Sequence, residues 1–158
     1  MAEPACTVDT ATVEEAYDVF LSIPEFDAGL TPLTDFSARL GGRDACIEVA
    51  RSADGTAVGF KAGYDRYGDG SFYSWLGGVQ PAHRGGGVAQ ILLESQERWA
   101  LEKGYRSIYV RTRNRFVGMR ILLARNGYVV TRYDQPRDVP TAEGRLTLVK
   151  WLSPDSSR

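Results

Sequence analysis

The sequence is poor in the residues that build metal sites and covalent cross-links. Its 158 residues include two cysteines, Cys6 and Cys46, one histidine, His83, and two methionines. Two isolated cysteines cannot form the disulfide framework of a small secreted domain, and they match no zinc-ligand spacing. Both read as small apolar residues of an interior, and no metal is expected. Lysine is scarce as well, three against sixteen arginines. No window approaches the ~18 apolar residues of a membrane-spanning helix. The opening residues, Met1 to Cys6, lack the basic and apolar segments of a secretory leader. The expectation is a cytoplasmic protein with no membrane contact, formed of one domain over residues 1–158 around a single core.

Net charge is small but unevenly placed. Residues 1 to 79 hold 13 acids against 5 bases, and residues 80 to 158 hold 7 acids against 14 bases, so a −8 half precedes a +7 half. The division falls at a run of glycines. Arginine, which supplies most of the positive charge, has the planar fork that suits phosphate and carboxylate groups.

Periodicity gives the element order. A short strand near Cys6 to Val8 precedes a helix opened by the capping box Thr12-Val-Glu-Glu15, with Val13, Ala16, Tyr17, Phe20 and Leu21 at helical spacing. The acidic loop Pro24 to Pro32 leads to a second helix over Leu33 to Leu40. Strands at about Ala45 to Arg51, Thr56 to Tyr64 and Ser71 to Val79, separated by Asp54-Gly55 and Gly68-Asp-Gly70, read as an antiparallel meander. A third helix carries Val88, Ile91, Leu92 and Trp99 and stops at Gly104. Then come a strand Ser107 to Arg113, a helix Arg115 to Arg125 stopped by Gly127, and strands Tyr128 to Tyr133 and Arg145 to Leu152. Strand, glycine loop, helix, strand implies a right-handed crossover between two parallel strands within an otherwise antiparallel sheet. The class is α+β, with a mixed sheet of six to seven strands.

The glycine run, Arg84-Gly-Gly-Gly87-Val-Ala89, enters a helix. Bare backbone lets N–H groups close on an anion, and the helix N-terminus adds roughly half a positive charge. With Arg84 this makes a pyrophosphate cradle; a tight turn that happens to contain glycine is the plain alternative. No Gly-Lys-Ser/Thr follows, so the nucleotide P-loop lacks its lysine and its magnesium ligand. G-x-G-x-x-G spacing is missing too, and the loop follows a meander, which excludes a dinucleotide fold.

These residues resemble the GNAT superfamily of N-acetyltransferases. Its acyl-CoA signature Q/R-x-x-G-x-G/A is met by Arg84 to Ala89, its preceding V-x-P by Val79-Gln-Pro81, and its G-F/Y helix end by Gly127-Tyr128. The strand Ile108-Tyr-Val110 followed by Asn114 is similar to its cofactor-contacting strand. The resemblance implies a GNAT-like sheet whose parallel pair splays apart, with acetyl-CoA as acyl donor and an amine as acceptor. It implies pantetheine contacts from Gly77, Gly78 and Val79, where the double glycine suits a bulge or close approach. Pyrophosphate contacts would come from Arg84, Gly85, Gly86, Gly87, Val88 and Ala89. Asn114 would touch the pantetheine arm or cap the next helix, and the Val79 N–H would stabilise the oxyanion.

The same resemblance leaves the proton transfers open. The family's tyrosine acid, four residues before the G-F/Y glycine, is here Leu123; its glutamate base, about eleven residues before the signature, is here Tyr73. A thiol near pKa ~8.5 leaving without an acid forgoes about 2 kcal/mol at pH 7, but neutralising a lysine-like amine costs about 4.6 kcal/mol. A low-pKa amine, or a base acting through water, is therefore expected. Candidates for the base are Glu25 and Asp27 in the first interhelical loop and Asp65; Tyr73 and Trp75, alternating on one strand, would either floor the acceptor pocket or pack in the core; Tyr128 and Tyr133 are lesser candidates as acids. His83 sits beside the anion loop, a poor place for a base. The charge division suggests a basic cofactor side and an acidic acceptor side that receives a small cationic amine or a peptide amine. A CoA-binding sensor without catalysis is the alternative. An arginine-rich nucleic-acid binder is disfavoured by Glu94, Glu97 and Glu102, and no RNA-binding motif is present. Dimers are common in the family, and the last strand would offer the pairing edge.

Overall fold

The computed structural model describes residues 6–153. The opening residues read above as lacking a leader, Met1 to Ala5, lie outside the described residues. Seven strands, β1 (Cys6–Thr10), β2 (Ala45–Ser52), β3 (Ala57–Tyr64), β4 (Ser71–Val79), β5 (Ser107–Arg113), β6 (Val129–Asp134) and β7 (Arg145–Trp151), form one mixed sheet. Four helices flank it: α1 (Val13–Leu21), α2 (Leu33–Leu40), α3 (Val88–Glu102) and α4 (Val117–Arg125).

Local chemistry explains most boundaries. Thr12 and Glu15 cap α1 reciprocally, satisfying donors that the first turn leaves free. Gly104, at φ +92°, supplies the left-handed residue that ends α3. One boundary moves: α4 begins at Val117, and its N-cap is Phe116, not Asn114. The Asn114 side chain ties β5 to the segment beyond it, its amide nitrogen donating to Tyr133 Oη and to the Thr141 carbonyl, both at 3.0 Å.

The strand order is β1-β2-β3-β4-β5-β7-β6. Neighbours are antiparallel except β4 and β5, which run parallel. The last strand is not an edge, contrary to the sequence reading. β7 pairs with β5 along seven residues, Ser107 opposite Trp151 through Arg113 opposite Arg145, and holds β6 on its other side. The exposed edges are β1 and β6.

Two cores lie on opposite faces. One joins α1 and α2 to β2, β3 and β4 through Phe20, Phe36, Phe60 and Tyr73, the phenylalanine rings meeting at 5.8 to 6.3 Å. The other packs α3 and α4 on the far face around Phe72, Leu93, Ile108, Leu123 and Leu148. On the α1/α2 side the helices stop at β4. The same face of β5, β7 and β6 stays open, with Val129 and Trp151 exposed on it.

Candidate active site

β4 and β5 are joined by only four parallel pairs, from Ser71 opposite Ser107 to Ser74 opposite Val110. Beyond them β4 stays on β3, with Leu76 to Val79 paired to Ala62 to Gly59, and leaves β5. Between Tyr73 and Leu76 the strand advances three residues while β3 advances two, from Tyr64 to Ala62. That extra residue is a β-bulge, which bends and twists a strand locally, and it sits where the parallel seam ends. Of the two roles the sequence allowed Gly77-Gly78, a bulge or a close approach, the bulge lies about two residues earlier. The glycines instead permit close approach. A Cβ on Gly78 would stand 2.7 Å from Ile23 Cδ1, and one on Gly77 3.2 Å from the Phe60 carbonyl.

Backbone donors face this gap. The Gln80 N–H donates to the Val58 carbonyl at 2.8 Å. Alternation along the antiparallel pair gives Gly78 the same direction and turns the amides of Val79 and Gly77 away from β3, into the gap. Val79 is buried and packs with Val58, Val88 and Leu92, which fixes that stretch of backbone.

The loop beyond β4 is bare. Gly85 and Gly87 have φ of +82° and +86°, and a Cβ on Gly85, Gly86 or Gly87 would meet nothing within 4 Å. Gly87 is the N-cap of α3 and offers no side-chain cap, so the first amides of α3 are left for another acceptor. An anion such as a pyrophosphate fits this arrangement. Arg84 reaches back, donating from Nε to the Val79 carbonyl at 3.0 Å and bidentately to Glu25 at 2.7 and 2.8 Å. Arg84 holds the Glu25 carboxyl below the usual carboxylate range, so Glu25 is a weak proton acceptor.

The other sequence candidates separate. Asp65, just past β3, accepts from the Gly68 N–H at 2.7 Å and from Tyr105 Oη at 3.1 Å. Asp65 follows Tyr64, the residue opposite Tyr73, so it lies beside the closed end of the gap, four positions along from Lys61 opposite Gly77, roughly 13 Å. Asp27 caps its own turn, accepting from Gly29 N–H at 2.7 Å. Tyr73 is buried at the end of the seam, stacked on Tyr109 with ring centres 4.8 Å apart. Burial pushes its phenol up, opposed by the charge of Arg111. Trp75 lines a cavity of about 330 Å³ with Thr31, Asp35 and Arg39. Leu123 is fully buried, and His83 is exposed in a short 3-10 turn.

One group escaped the sequence reading. Lys61 on β3 is opposite Gly77, and its Nζ lies 3.6 Å from where a Gly77 Cβ would be. Burial brings the amine down to about 8, with Glu97, Cys46 and Glu48 opposing the shift. Glu97 is paired with Lys150 at 2.7 Å, and Glu48 accepts from Ser95 Oγ.

A splayed parallel pair, gap-facing amides and an uncapped glycine loop coincide with one sequence match. The profile of the acetyltransferase (GNAT) family matches residues 12–128. The chain belongs to that family. Its seven-stranded sheet is the GNAT fold, as solved structures confirm. The ribosomal-protein-S18-alanine N-acetyltransferase from Escherichia coli superposes with a TM-score of 0.79 at 14% identity, covering 94% of each chain. A GCN5-related N-acetyltransferase from Kribbella flavida gives 0.74 at 22% identity, over 94% of this chain and 98% of that one. A proposed acetyltransferase from Salmonella typhimurium, solved with its cofactor acetyl-CoA, gives 0.72 at 19%, over 95% of each. No curated protein sequence matches the chain.

Proposed function

We propose that this family member transfers an acetyl group from acetyl-CoA to a primary amine. The gap that opens past Ser74 and Val110, with the Gly77 and Val79 amides turned into it, carries the reading. Pantetheine fits there as a substitute strand. Arg84 and the amides from Gly85 to Ala89 would hold the pyrophosphate, once Arg84 exchanges Glu25 for phosphate oxygens. Asn114 borders the open end of the gap, its side chain already fixed by Tyr133 and Thr141. The Val79 and Gly77 N–H groups would stabilise negative charge on the acyl oxygen. The C–N bond forms as the C–S bond breaks, and the net proton movement is from nitrogen to sulfur. Lys61 is the side chain beside Gly77 whose proton affinity, at about 8, suits delivery of a proton to a departing thiolate. With Glu25 held by Arg84 and Asp65 bonded to Gly68 and Tyr105, neither of these carboxylates is free to serve as base, which favours an acceptor that is already largely neutral near pH 8.

The test is thiol release from acetyl-CoA across a panel of primary amines, with acetyl-CoA affinity measured in parallel. Turnover that saturates in both substrates supports the reading. Tight acetyl-CoA binding without turnover of any amine would favour a sensor that binds the donor only, a role in keeping with the buried Leu123 and the stacked Tyr73.

A further inference from the structure

The linear division of charge folds into a division of the sheet, β1 to β4 from the acidic half and β5 to β7 from the basic one. On the open face of β5, β7 and β6 lies a cavity of about 530 Å³ whose lining includes Arg111, Arg113, Arg132 and Arg145, with Asp134 and Glu143 beside them. Register sets these side chains in rows on one face. Arg113 is opposite Arg145, which is opposite Asp134; Arg111 is opposite Thr147, which is opposite Arg132. The two acids are already engaged. Glu143 receives Arg113 at 3.2 Å and Arg115 at 3.3 Å, and Asp134 receives Arg132 at 3.0 Å. Among the described residues, the side chains of Arg111 and Arg145 form neither a hydrogen bond nor an ion pair.

The cavity adjoins the reaction site. Arg111 follows Val110, the last β5 residue paired to β4, so it stands at the apex of the gap. It is on the same side of the sheet as Tyr109 and Tyr73, and it is the leading charge acting on Tyr73, with Arg66 and Arg39 contributing further. Arg145 is one strand across and two residues on. From the apex, these guanidiniums are within one to three strand spacings, roughly 5–15 Å. A cavity of a few hundred Å³ suits a small molecule, and a compact arginine cluster lacks the extended track that a polynucleotide backbone needs. The acids that would have drawn a cation are spent elsewhere: Glu25 on Arg84, Asp65 on Tyr105 and Asp27 on its own turn.

We propose that the acceptor is a small amine bearing an anionic group, a carboxylate or a phosphate-type oxyanion, which Arg111 and Arg145 hold while the amine reaches the gap beside Gly77. This rests on the acetyltransferase reading and replaces the cationic acceptor expected from the sequence. Arginine forks pair bidentately with such groups, and the pairing fixes distance and direction as well as charge.

Thiol release from acetyl-CoA is measured with four matched sets: amino acids, the corresponding amino acid amides, aminoalkylphosphonates and diamines. The anionic amines have kcat/KM at least about tenfold above the amides and diamines, as expected for charge-assisted pairing. Phosphonates against carboxylates then tell which oxyanion fits. Arg111→Gln and Arg145→Gln each erase most of the difference between an acid and its amide, with unchanged acetyl-CoA affinity showing that the variants are folded. Preferred turnover of amides or diamines overturns the proposal and leaves the acetyltransferase reading standing. If no amine is turned over, that reading fails, and the subsite is decided by binding. Glutarate and methylphosphonate are added to CoA-loaded protein while the side-chain Nε–H resonances of Arg111 and Arg145 are followed. Shifts lost in the Gln variants support an anion site, and unmoved resonances overturn it.

Discussion

Lys61 and Glu25 show how far a residue's role depends on partners remote in sequence. The buried Lys61 amine has a folded value of about 8, below its unfolded value near ~10.4. The unfolded chain therefore binds more protons between these values, and the Lys61 contribution to stability rises with pH from 8 to 10. Denaturant unfolding of wild type and Lys61→Met at both pH values checks this: the wild type gains relative to the variant as pH rises. An acetylation rate that keeps its pH profile in Lys61→Met would remove Lys61 from proton delivery. For Glu25, the competition with phosphate predicts that Glu25→Gln strengthens acetyl-CoA binding severalfold, read by calorimetry, because Arg84 is no longer engaged. The bare loop from Arg84 to Ala89 at the start of α3 was legible in the sequence because it is made of consecutive residues. Neither Lys61 nor the Glu25–Arg84 pair was legible. Burial of a strand lysine depends on α3 packing across it, and the pair spans 59 residues.

Among the elements, β4 does the most to create the site. Its bulge faces Gly63 of β3, where an added Cβ would stand 2.5 Å from the Tyr73 carbonyl and 2.6 Å from the Phe72 ring. A backbone oxygen cannot move aside as a side chain does. Gly63→Ala is expected to cost about 1–3 kcal/mol by overpacking, measured by denaturant unfolding, and to weaken acetyl-CoA binding because the bulge shapes the gap. At Gly87, φ of +86° makes valine a strained replacement. Gly87→Val is expected to lower acetyl-CoA affinity by about tenfold or more through loss of the helix-entry geometry, worth roughly 1–3 kcal/mol. Helices and strands were readable from caps, glycine stops and apolar period, as the Thr12–Glu15 box and Gly104 show. Insertion of β7 between β5 and β6 was not readable, since a strand's own residues do not name its neighbours. The bulge was hidden for a similar reason, being a mismatch between two strands.

For the whole molecule, the sequence halves of opposite sign become two sides of one sheet that meet at β4 and β5. Arg111, Arg113, Arg132 and Arg145 of the second half gather on the face that α1 and α2 leave open. Net charge by sequence segment could not reveal this, because the arginines that meet come from three strands whose adjacency is set by the fold and not by the charge of any one segment. Among the described residues, no helix is long and apolar enough to cross a membrane. Raising salt from 50 to 500 mM should weaken the apparent affinity for an anionic acceptor more than for a neutral one, read as KM.

The four-pair seam between β4 and β5 has a mechanical meaning. The protein is two antiparallel panels stitched along one edge by a short hem, with the rest of that edge open. A donor molecule lying in the opening acts as a splint, completing the hem. Those amides of β5 beyond Val110 that face the gap, and not the ones bonded to β7, should then exchange slowly only when acetyl-CoA is bound, and at about 100 times its dissociation constant the ligand should add about 2.7 kcal/mol to global stability. The cofactor would be a structural member of the sheet as well as the source of the acetyl group.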